Sequence, residues 1–109
     1  MEVKAVAKNT GIPASKVRPL VDMVRGKRVE EALTILRFTP TPKAIVVAKV
    51  VQSAAANAEN NFQMDTADLK IVTIMVDDAV SLRRYRPRSR GRVSPIRKRS
   101  CHITVIVAD

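Results

Sequence analysis

Residues 83–99 read RRYRPRSRGRVSPIRKR, and no arrangement of the chain can bury them. Nine of the seventeen are cationic (Arg83, Arg84, Arg86, Arg88, Arg90, Arg92, Arg97, Lys98 and Arg99) and none is acidic. The rest of the chain is almost neutral, with eleven Lys and Arg against ten Asp and Glu, so nine of the ten units of net charge lie in this one segment. Such a run repels itself, and its side chains lose too much solvation to enter a core. Ordering it requires a polyanion, most commonly a phosphate backbone.

What flanks the segment limits its shape. Residues 69–82, LKIVTIMVDDAVSL, and 100–108, SCHITVIVA, are rich in β-branched residues and free of Gly and Pro, which predicts a strand on each side. Two strands around a basic centre suggest one long antiparallel hairpin whose turn falls near Gly91, the residue type that most readily takes a positive φ. Pro87 and Pro95 are tolerated in a two-stranded ribbon, where alternate N–H groups point outward. At about 3.3 Å per residue, an arm of roughly nine residues per strand reaches about 30 Å. A body of about 90 residues has a radius of gyration near 12 Å, so the arm projects well beyond it.

The body reads as one modest domain, giving a single unit over 1–109 with 83–99 as its arm. Residues 2–8 alternate as a short edge strand guarded by Lys4 and Lys8, and residues 9–12 break it. Ser15 to Arg25 predicts a helix with Ser15 as N-cap, Pro19 in its first turn, an apolar stripe of Val17, Leu20, Val21 and Val24, and Gly26 as the stop. Val29 to Phe38 predicts a second helix, with Glu30 and Glu31 favourably placed in its first turn. The TPTP run at 39–42 ends it and starts the next, with Thr41 as N-cap and Pro42 at the first helical position. Lys43 to about Asn61 is then the longest helix, apolar over a wide face, and serves as the spine of the core. Gln63 to Asp68 is a polar turn.

Several classes are excluded. The only aromatics are Phe38, Phe62 and Tyr85, too few for a module that reads single-stranded RNA by stacking, so recognition rests on charge and shape. One cysteine forms no internal disulfide and fits a reducing compartment. No apolar run approaches 20 residues, and the first residues lack the apolar core of a signal peptide. Cys101 and His102 are neighbours that a strand points to opposite faces, so they form neither a metal site nor a nucleophile–base pair; a buried Cys and an exposed or RNA-facing His is the simpler expectation. Asp77 and Asp78 diverge in the same way. The three glycines stand apart, so there is no phosphate loop, and nothing supports catalysis, a cofactor or a metal.

Four motifs then carry a resemblance. K-x-R-x-x-x-D-x-x-R-G-K is present as Lys16, Arg18, Asp22, Arg25, Gly26 and Lys27; S-A-x-A-N-A as Ser53, Ala54, Ala56, Asn57 and Ala58; P-R-x-x-G-R as Pro87, Arg88, Gly91 and Arg92; and K-R-x-x-H-I-T-V as Lys98, Arg99, His102, Ile103, Thr104 and Val105. Together they make the chain resemble the family of large-ribosomal-subunit protein twenty-two, bacterial type, over nearly its whole length. Ala79 and Val80 stand where that family is expected to have Gly-Pro, and Ser89 and Val93 where it usually has Ala.

The resemblance implies an α+β fold: three helices on a small three-stranded antiparallel sheet, with a long protruding basic hairpin. It implies no enzyme but a structural constituent of the large ribosomal subunit, cytoplasmic and monomeric within the ribosome, with no membrane, that binds large-subunit RNA of the 23S type early in assembly. RNA contacts then fall to Lys16, Arg18, Arg25, Lys27, the nine cations of the arm and His102. The tip, Arg88, Ser89, Arg90, Gly91 and Arg92, lines the nascent-polypeptide exit tunnel near the macrolide-binding region, so the partners include neighbouring large-subunit proteins and the nascent chain. The rival reading is an architectural DNA-binding protein whose arm enters a minor groove with Pro87, Pro95 and Val93 as wedges. Such proteins usually have a dimeric body, and no second-copy interface is evident. A membrane-surface peptide is disfavoured by the apolar body and the lack of a basic amphipathic helix.

Overall fold

The structure, a computed structural model, describes residues 2–87, 91 and 93–109. In chain order it has strand β1 (Glu2–Ala7), helices α1 (Ala14–Val24), α2 (Val29–Phe38) and α3 (Pro42–Phe62), a 3₁₀ turn (Thr66–Asp68), and strands β2 (Lys70–Asp78), β3 (Leu82–Pro87), β4 (Val93–Lys98) and β5 (Cys101–Ala108). β1, β5 and β2 form an antiparallel sheet in that order, and β3 and β4 pair only with each other. The fold is α+β as expected. β5 is the middle strand, an order the sequence left open.

Alternation explains the sheet. Val3 and Ala5 on β1, Ile71 and Ile74 on β2, and Cys101, Ile103, Val105 and Val107 on β5 all turn to one buried face. A register shift between Ile71 and Thr73 adds one residue to β2 and keeps both isoleucines on that face. Over it lie α3, packed on β1 and β5, and α1, packed on β2; α2 rests on α3 and α1. α3 supplies Ala44, Val47, Val50, Val51, Ala54, Ala55 and Ala58 to the core, and its alanines let the neighbouring backbones approach closely. Among the described residues no polar or charged side chain is buried. The core is therefore held by burial and dispersion without internal polar networks.

The start of α1 departs from expectation, and the start of α3 does not. α1 begins at Ala14, with Pro13 rather than Ser15 in the cap position and no side-chain cap bond. Pro19 consequently sits in the interior of α1 rather than its first turn. The helix continues through it because Val17, Leu20, Val21 and Val24 are all buried, and that packing outweighs the lost donor. Thr41 does precede α3 with Pro42 at its start, but it caps through its backbone carbonyl, which accepts from Ala44 N–H at 3.2 Å. The far end of α3 closes on Gln63 in the left-handed region (φ 52°), and Met64 N–H reaches back to Ala58 O at 3.1 Å.

The long strand expected over 69–82 is two strands. β2 stops at Asp78, the partner of Cys101, and β3 starts at Leu82. Between them only Ala79 N–H to Ser100 O (3.1 Å) carries the pairing across. The extents of 62 × 26 × 17 Å and radius of gyration of 17.0 Å belong to a body with a projecting ribbon; a compact chain of this length has a radius near 13 Å.

Candidate nucleic-acid interface

The ribbon pairs Leu82 with Lys98, Arg83 with Arg97, Arg84 with Ile96, Tyr85 with Pro95, Arg86 with Ser94 and Pro87 with Val93. Both prolines thus stand in a two-stranded ladder, where each strand has a free edge for the missing donor. Arg83, Arg84, Arg86 and Arg97 occupy ladder positions, and Lys98 and Arg99 are exposed at its base. Gly91 has φ +70°, as expected for the turn, where a side chain is strained whatever space surrounds it. Arg88, Ser89, Arg90 and Arg92, the other expected tip residues, lie outside the described residues.

At the base of the arm the loop after β1 clamps the start of β5. Asn9 N–H donates to Nδ1 of His102 at 3.0 Å, Thr10 N–H to Cys101 O at 3.1 Å, and Gly11 N–H to Ser100 Oγ at 2.9 Å. The Thr10 hydroxyl adds a bond to Cys101 O at 3.2 Å and lies 3.1 Å from Cys101 Sγ. Asn9 (φ 54°) and Gly11 (φ 77°) take left-handed backbone to present three successive N–H groups to one strand. His102 is half-buried, and its Nδ1 is occupied as an acceptor, so its ring proton sits on Nε2. It is a loop anchor with one nitrogen left for an outside partner. Cys101 is buried, as expected.

The α1 cluster divides. Lys16 and Arg18 are exposed on the helix. Arg25, just past its end, is held: one guanidinium nitrogen donates to Asp22 Oδ1 at 2.7 Å and another to Ile74 O at 3.0 Å, tying α1 to β2. Lys27 is exposed, and its backbone carbonyl accepts from Ile71 N–H at 2.9 Å, so residues 27–29 run along the outer edge of β2. The sequence motif named Asp22 and Arg25 but gave no sign of Ile74 as their third member. Nor did it mark Asn9, Thr10, Gly11 and Ser100 as the root of the arm; the only trace was the residue types that tolerate positive φ.

The described residues bring the expected cations to two places, α1 with its following turn and the base of the ribbon, and in the first of them Asp22 pairs with Arg25. That arrangement suits phosphate contacts, which position without reading sequence. Among the described residues no group of three His, Cys, Asp or Glu side chains is placed to hold a metal ion, and no helix is long and apolar enough to cross a membrane.

Residues 5–108 match the family described as ribosomal protein L22p/L17e. The large ribosomal subunit protein uL22 of Dehalococcoides mccartyi (strain ATCC BAA-2266 / KCTC 15142 / 195) is 67% identical over 109 residues, covering all of both chains. That of Pelotomaculum thermopropionicum is 55% identical over all of this chain and 96% of its own, and that of Pediococcus pentosaceus 51% identical over 97% and 90%. The cationic ribbon and the α1 motif therefore sit on the scaffold of a ribosomal protein, not an enzyme, and the chain belongs to the L22p/L17e family in its bacterial form.

Proposed function

We propose that the chain is a structural constituent of the large ribosomal subunit, acting in the cytoplasm, that binds 23S-type ribosomal RNA and supports early assembly. The observation that carries this reading is the concentration of net charge in a two-stranded ribbon that leaves the body: a polycation with no internal acid needs an external polyanion. The ribbon inserts between RNA elements, and Lys16, Arg18 and Lys27, with the tethered Arg25, hold a second RNA surface against the body. The unused Nε2 of His102 serves the same RNA at the root of the arm. The tip around Gly91 forms part of the exit-tunnel wall and meets the nascent polypeptide, while the body takes its place as a monomer among neighbouring proteins of the subunit. Family membership and full-length similarity to proteins named for the large subunit support this.

The test is sedimentation. A tagged copy expressed in a bacterium should co-sediment with large subunits through a high-salt wash, and ultraviolet cross-links from the arm should fall on large-subunit RNA. Recovery at the top of the gradient, or cross-links to DNA, would overturn the reading.

A further inference from the structure

α2 and α3 join at the TPTP corner, and a groove of about 680 Å³ is lined by both helices and the corner. Its origin is visible in the spacing. The core face of α3 runs Ala44, Val47, Val51 and Ala58, whereas Pro42, Ile45, Lys49 and Gln52 recur at helical intervals on a different face and line the groove. Leu33 and Arg37, one turn apart on α2, supply the opposite wall, and Ala48 completes the floor. Ile45 is 59% exposed. Sites of about 300–1,000 Å³ are large enough for a whole ligand.

Charge says what fits. Outside the basic arm, acids and bases are nearly equal in number, so an average groove on this body has both. This one has only bases, Arg37 on the α2 wall and Lys49 on the α3 wall, with no carboxylate in its lining. A floor of Leu33, Pro42, Ile45 and Ala48 between two cations is complementary to an apolar side chain bracketed by carboxylates. RNA is the poorer match: phosphates suit the two cations, but bases stack on aromatic or guanidinium planes, and the floor is aliphatic.

We propose that the α2–α3 groove is a protein-docking site that seats an acidic-flanked apolar segment of a neighbouring protein of the large subunit. It rests on the proposed function and extends it from RNA to a second class of partner. The body thus works through two chemistries, cations toward RNA on α1 and the arm, and an apolar groove toward protein on α2 and α3.

The experiment places a photoreactive benzophenone residue at position 52 of the full chain, and a second at position 18 as an RNA-facing control. Subunits are purified through high salt and irradiated, and the cross-linked peptide is identified. The expected result is a cross-link from position 52 to one subunit protein, in a segment with a large apolar residue and Asp or Glu within one helical turn of it. Arg37→Glu with Lys49→Glu, both exposed positions, should lower that yield roughly fivefold or more while the chain still enters subunits. A cross-link to RNA, a protein segment without carboxylates, a yield indifferent to charge reversal, or no protein cross-link would each overturn the groove proposal alone. If the unmodified chain fails to sediment with large subunits, the functional reading falls first and this proposal with it.

Discussion

The body and the arm of this protein obey different physics. The body buries two dozen apolar residues, closes α1 and α3 onto a sheet with α2 packed on both, and carries almost no net charge. The arm has a hydrogen-bonded ladder and a left-handed glycine but pairs only with itself, and it holds nearly all of the net charge. The body gains its stability from solvent leaving apolar surface. The arm's ladder is a marginal structure in water, since a lone two-stranded ribbon has no second layer to pack against. Under the proposed function the RNA supplies that missing layer, so one chain combines a self-sufficient fold with a segment that a partner completes.

The sharpest way to break that division is to compare damage to each part. Ile103 lies fully buried on the middle strand, between Ala7 on β1 and Val76 on β2. Ile103→Ala should cost about 2–5 kcal/mol. Replacing residues 84–98 by a short turn should leave the melting transition of the body cooperative, because β2 and β5 keep their pairing in the other sheet. Urea and thermal melts of the two variants check this. An arm deletion as damaging as the cavity would show that the ribbon belongs to the core.

Binding should show the opposite ranking. If Arg84, Arg86, Arg88 and Arg92 each neutralise a phosphate, changing all four to Ala should flatten the dependence of log affinity on log salt by roughly three, at about 0.7–0.9 per contact. Ile103→Ala, measured below its melting point, should leave that slope alone. Filter binding to large-subunit RNA fragments at several salt concentrations reads it. If slope and affinity are both unchanged in the arginine variant, binding belongs to Lys16, Arg18 and Lys27.

The next effect is local to the tip. A β-branched residue at Gly91, at φ +70°, costs on the order of 1–3 kcal/mol of strain. Gly91→Val should leave the body and the lower arginines able to bring the protein into subunits, while macrolide inhibition or nascent-chain pausing changes. Translation assays with reconstituted subunits test this. Normal incorporation with unaltered inhibition and pausing would remove the tip from the tunnel wall, and failed incorporation would make it an assembly contact.

How far the sequence disclosed all this depends on the range of the forces involved. α2 and the start of α3 were legible because the apolar spacing and the TPTP stop act within a turn or two. α1 was misplaced because a local cap signal at Ser15 competed with packing, and packing won. The break between β2 and β3 left no mark: residues 69–82 contain no Gly or Pro, and the interruption occurs where the loop at 9–12 clamps residues 100–102. The cations proposed for RNA contact stand out in the sequence because charge is a property of the residue itself. The uses of Arg25 and His102 were not, since their partners lie 49 and 93 residues away. The α2–α3 groove was hidden for the same reason, being a relation between two faces that the core does not use.

The smallest expected effect belongs to the junction, where the two regions meet. Thr10 Oγ1 bonds Cys101 O in a partly buried site, whereas Ser100 Oγ receives Gly11 N–H in an exposed one. Thr10→Val keeps the shape and removes the hydroxyl, and Cys101 O still accepts from Thr10 N–H, so the loss should be about 0.5–1.5 kcal/mol. In Ser100→Ala, water takes over the Gly11 amide, and the loss should fall at the low end of the same range or below it. Hydrogen exchange at Asn9, Thr10 and Gly11 should speed up in both variants while amides of α3 stay protected, since opening the clamp is a local event. Neither substitution changes a charge, so the salt slope of RNA binding should be that of the parent protein, with any affinity loss appearing as a uniform offset. A changed slope would mean that residues at the junction hold a phosphate themselves. Slowed exchange, or exchange unchanged in both variants, would mean that the clamp is not what fixes the root of the arm.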